Sequence, residues 1–216
     1  MQRLLILIGV GVAVIVVATR LQAAAGQAVG DRPEITAAAR AATLRFAPGV
    51  TPQDRAWILA AIARARPEAQ RLIAEVDGLI EMRTDLDREH AIGLTHIAGD
   101  SVTVSVDVRA LNGDRALDRD VVVLHELGHV IDYLLVPYDL VVRLDRSIPQ
   151  VGTCDPAAEA PTGACTAIEE RFADTFAKWA LRGRFSLAGS GYGIPAPASL
   201  EDWGAPLGLL AAQLDD

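Results

Sequence analysis

Residues 121–136, VVVLHELGHVIDYLLV, constrain this chain more than any other stretch. The run is apolar enough for a buried helix, yet it carries His125, Glu126 and His129. On a helical wheel Val123, Leu124, Leu127, Val130, Ile131 and Leu134 lie opposite the two histidines. Such a helix packs its back into a core and turns its imidazoles to a cleft. Histidines four apart share one helix face and can reach a single metal ion. Glu126 sits about 100° round the helix, where it reaches a water on that ion without being a ligand. Two buried imidazoles beside a carboxylate are costly without a metal or hydrogen-bond partners. Gly128 gives up about 1 kcal/mol of helix propensity relative to alanine, which points to another backbone approaching there.

Zinc in a catalytic site takes three protein ligands and keeps one position open. His90 and His96 lie upstream, His96 inside an expected strand, and both read as core or surface residues rather than ligands. The better source is downstream. Ile168, Phe172, Phe176 and Trp179 form one apolar helical stripe, and Glu170, Ala173 and Ala177 form a second. The two alanines let that helix close on the histidine helix, which favours Glu170 as third ligand. Glu169 sits about 100° away, and spacing alone does not exclude it. Asp174, one turn beyond Glu170, is placed to accept the second ring N–H of a ligand histidine. Asp132 shares the helix face of both histidines and is a candidate to support the site from behind its ligands.

His125-Glu126-Leu127-Gly128-His129, followed by Glu170-Arg171-Phe172-Ala173-Asp174-Thr175-Phe176, resembles the zincin metallopeptidases whose third ligand is glutamate. It is most similar to the anthrax-lethal-factor-like catalytic domain, where a Glu-x-x-Ala-acid-x-Phe motif supplies that ligand. Asp132, soon after His129, fits the same group. The resemblance covers roughly residues 76–181. It implies one zinc ion per chain, held by His125, His129 and Glu170, and Glu126 as general base toward a zinc-bound water. It also implies that the strand at 101–108 forms the cleft edge, where an extended peptide substrate adds as a strand. The family places a tyrosine seven residues before the third ligand; here that position is Gly163. Tyr192, in a Gly-Ser-Gly-Tyr-Gly loop, is a candidate substitute. The missing tyrosine supports an alternative reading, a catalytically inactive zincin-fold binding module of the cell envelope.

The chain's remaining features set its surroundings. Residues 4–18 are unbroken apolar between Arg3 and Thr19-Arg20. As a helix they span about 22 Å, short of a roughly 30 Å hydrocarbon core. That length suits a signal peptide with cleavage after Ala23-Ala24-Ala25, and an N-terminal membrane anchor fits as well. Either way the bulk of the chain lies outside the cytoplasm, secreted or anchored. There Cys154 and Cys165, the two cysteines, are expected to form a disulfide. With 20 Lys and Arg against 28 Asp and Glu, the net charge is −8, and the basic footprint of a nucleic-acid binder is missing.

Three segments follow: residues 1–25 as signal peptide or anchor, 26–50 as linker and short helix (34–46), and 51–216 as the zincin-like metallopeptidase domain. Thr51-Pro52-Gln53-Asp54 starts a helix that breaks at Pro67 and resumes to Val76. Leu79 to Arg83 and Ala91 to Ile97 read as strands, and Ala98-Gly99-Asp100 as a turn. Ser101 to Val108 alternates strictly, with Val102, Val104, Val106 and Val108 on one face. The region after Arg184 is rich in Gly, Pro, Ala and Ser and reads as mostly loop. The expected fold is α+β and zincin-like: N-terminal helices, a small mixed sheet, the HExxH helix and a C-terminal helix carrying the third zinc ligand. The expected function is an extracytoplasmic zinc-dependent peptidase.

Overall fold

Two proline-led helices follow a short first strand in the described residues. The computed structural model describes residues 44–86, 92–99, 101–107, 118–150, 166–183 and 193–214. The N-terminal apolar segment, His90, Cys154, Cys165, Gly163 and Tyr192 lie outside the described residues. No helix among the described residues is long and apolar enough to cross a membrane.

Helix α1 (Pro52–Arg64) begins as its sequence dictates. Thr51 caps it, with Oγ1 accepting from the Asp54 N–H at 3.1 Å, and Pro52 occupies the first turn. The chain turns extended at Ala65 and Arg66, because a residue before proline avoids the helical region. Helix α2 (Pro67–Val76) then buries Ala69, Leu72, Ile73 and Val76 along one stripe.

Four short strands make a mixed sheet in the order β1-β2-β4-β3. Strand β1 (Arg45–Phe46) runs parallel to β2 (Ile80–Arg83), and β2 runs parallel to β4 (Ser101–Val106). Strand β3 (Gly93–Ala98) returns antiparallel to β4 through a turn at Gly99, whose φ is +57°. The alternation expected of residues 101–106 is present: Val102, Val104 and Val106 are buried. Two expectations are corrected here. Residues 45–46, read as the end of a short helix, are strand, because Arg45 and Phe46 pair with Glu81 and Met82. The 101–106 strand is interior to the sheet, flanked by β2 and β3, so it is not an edge strand; β1 and β3 are the edges.

Helix α3 (Arg119–Leu134) holds the histidines and is buried over most of its length. Asp118 caps it, accepting from the Asp120 N–H at 3.0 Å. Helix α4 (Tyr138–Arg146) follows, burying Leu140, Val141 and Leu144. Helix α5 (Ile168–Ala180) lies against α3 on one side and α6 (Leu200–Gln213) on another. Phe172, Phe176 and Trp179 of α5 join Trp203 of α6 in an aromatic cluster with ring centroids 5.7–6.5 Å apart. Each of these rings contributes about 1.5–3 kcal/mol by leaving water.

Helix α6 corrects the loop reading of the C-terminal region. Gly204, Pro206 and Gly208 weaken its local preference, but Ser199 caps it and Glu201 and Asp202 occupy its first turn. Trp203, Leu207 and Ala211 supply the buried stripe. Gly204 is required by packing: a Cβ there would fall 1.8 Å from Trp179 Nε1. Tertiary burial overrides the weak propensity. The result is an α+β fold with six α-helices and a four-stranded mixed sheet among the described residues.

Candidate metal centre

The expected close approach of two helices occurs at Gly128. A Cβ added there would meet Ala173 Cα at 2.9 Å, Ala173 O at 3.2 Å and Ala173 Cβ at 3.3 Å. Glycine on α3 and alanine on α5 therefore set the spacing of the two helices. Glu170, one turn before Ala173, is brought over the histidines as a consequence.

Three donor atoms converge. His125 Nε2 lies 3.1 Å from Glu170 Oε2 and 3.2 Å from His129 Nε2, and His129 Nε2 lies 3.5 Å from Glu170 Oε2. This His125, His129 and Glu170 group could hold a metal ion. Glu169 is buried and stands outside the group; of the two glutamates, Glu170 is the one that joins the histidines.

The site is electrostatically tight. Burial alone would lower the His129 pKa, but the hydrogen bond and charge of Glu170, with the charges of Glu126 and Asp132, outweigh it and raise the imidazole to about 9. Burial would likewise raise Glu170, yet its bonds to His125 and His129 hold it well below the usual carboxylate range.

Asp132 is 2 % exposed, and its charge helps to raise the His129 pKa. Asp174 departs from expectation. It is fully buried, but its Oδ2 accepts from Lys178 Nζ and its Oδ1 takes no hydrogen bond, so it orients neither histidine. Lys178 also donates to the Ile194 carbonyl, fastening the segment before α6 onto α5. His96 is an exposed residue of β3, away from the ligand set.

Glu126 has partners the sequence did not disclose. Thr95 Oγ1 on β3 lies 2.8 Å from Glu126 Oε2 and 3.0 Å from the Glu126 carbonyl. Gly93, two residues earlier on the same strand face, has Glu126 Oε1 only 2.1 Å from where its Cβ would be. The one available signal was a Gly-x-Thr alternation in an expected strand, and nothing local ties it to a residue 31 positions on.

Comparison of the chain with protein-family models, with curated proteins and with solved structures finds no match.

Proposed function

We propose that this chain is a zinc-dependent peptidase of the zincin type with a glutamate third ligand, acting outside the cytoplasm on peptide or protein substrates. The observation that carries the reading is the donor triangle with Glu126 beside it. Ligands at 2.0–2.1 Å from a tetrahedral zinc stand about 3.3 Å apart; the three donor separations are 3.1, 3.2 and 3.5 Å. Two imidazole nitrogens and one carboxylate are the donor composition of a catalytic zinc site, whereas calcium and magnesium favour all-oxygen sets. When bound, zinc supplies Lewis acidity and acidifies a coordinated water.

The protein's own residues do the rest. Glu126 is buried on the helix that supplies both histidines, and its carboxylate is the base that takes the water's proton and returns it to the leaving amine. Strand β3 is the edge of the sheet nearest Glu126, and its outer edge offers main-chain donors and acceptors to an extended peptide. Substrate docked there runs beside the base.

The test pairs metal content with hydrolysis. Purified protein should carry one zinc per chain by elemental analysis and cleave members of an unbiased peptide library. Glu126→Gln should keep the zinc and lose hydrolysis by about 10²–10⁴-fold, because an amide takes no proton. Failure to take up zinc at neutral pH overturns the reading; full activity in Glu126→Gln removes Glu126 as base.

A further inference from the structure

The side chain of Glu126 is held from across the sheet edge rather than by its own helix. Glutamate has three side-chain rotors, and a base that wanders by about 1 Å can lose 10²-fold in rate. Two residues of β3 restrict it by different means. The Thr95 hydroxyl, itself buried, engages Oε2 at 2.8 Å. At Gly93 the carboxylate lies directly on the strand backbone: a Cβ would fall 2.1 Å from Oε1 and 2.6 Å from Cδ. Gly93 has no left-handed φ that would demand glycine, so the backbone does not explain its identity. The space it leaves is filled by the base.

We infer that Gly93 and Thr95 form a positioning cradle for the Glu126 carboxylate, Thr95 by hydrogen bonding and Gly93 by the room it leaves. The cradle sits on the edge strand itself. A peptide adding to β3 would therefore meet a base already fixed relative to its own main chain. The kinetic consequence rests on the peptidase reading; the placement of the carboxylate does not.

The test uses zinc-loaded full-length chain in four forms: parent, Thr95→Ser, Thr95→Val and Gly93→Ala. All four should bind one zinc. Thr95→Val and Gly93→Ala should lower kcat by about 10–100-fold with KM within about two-fold, and Thr95→Ser should stay within about three-fold of the parent. A merely structural role would not produce the serine rescue or the kcat-only loss. Crystal structures supply a readout independent of turnover: the carboxylate should keep its place in parent and Thr95→Ser and leave it in Gly93→Ala. If the parent binds zinc and cleaves nothing, the peptidase reading fails while the crystal structures still decide the cradle. An unmoved carboxylate in Gly93→Ala overturns it. So does parental kcat in Thr95→Val, or equal losses in the valine and serine variants.

Discussion

Gly128→Ala tests the link between helix spacing and metal geometry. The new Cβ would stand 2.9 Å from Ala173 Cα, where carbon atoms in contact prefer about 3.5–4.0 Å. Relieving the clash needs α3 and α5 to separate by about 0.5–1 Å. Overpacking of this kind costs about 1–3 kcal/mol, and the gain in helix propensity returns about 1 kcal/mol, so net destabilisation is about 0–2 kcal/mol. The larger effect falls on the metal. Glu170 rides on α5 one turn from Ala173, while metal–ligand distances tolerate only about 0.2 Å. Zinc affinity should therefore drop by about 10–100-fold, the loss seen when a ligand's support is disturbed. Competition titration against a chelating dye reads the affinity, and denaturant unfolding in excess chelator reads the intrinsic stability. Adding Ala173→Gly should rescue only in part, because the nearest atoms are Ala173 backbone. Parental zinc affinity in Gly128→Ala would refute the reasoning.

Three further outcomes are expected. Zinc titration of Glu170→Ala should show a severe loss and Glu169→Ala a change of a few-fold at most, since only Glu170 joins the donor triangle; the reverse order would reassign the ligand. Asp174→Asn should destabilise the fold by about 3–5 kcal/mol in denaturant melts, because the neutral amide leaves the buried Lys178 ammonium without its counter-charge; a loss confined to zinc affinity would contradict the structure. The raised pKa of His129 stabilises the chelated protein fully below 6.5 and ceases to as pH rises through about 9. The lowered pKa of Glu170 stabilises above its ordinary 4.5 and is lost as pH falls further, so their joint contribution is complete between about 4.5 and 6.5. Melting temperature in chelator that climbs from pH 7 to 9, with no difference in His129→Gln, would oppose this.

Much of the centre was legible from sequence because its information is local. His125, Glu126 and His129 lie within one helical turn and a half, so 3.6-residue periodicity alone puts the histidines on one face. The same periodicity paired Glu170 with Ala173, the propensity cost of Gly128 marked it as a contact point, and α1 and α2 were bounded by threonine and proline chemistry that acts over two or three residues. What the tertiary structure alone decided are relations between distant segments. Pairing with β2 turned residues 45–46 into strand, and pairing on both sides placed 101–106 inside the sheet, with β3 outside it as one of the two edges. Lys178 drew Asp174 away from the histidines, and burial against Trp179 made a helix of the glycine- and proline-containing segment 200–213. Thr95 and Gly93 reached Glu126 only because β3 packs on α3. Backbone propensity and helical spacing are read along the chain, whereas packing is settled by which surfaces meet, and no period in the sequence encodes that meeting.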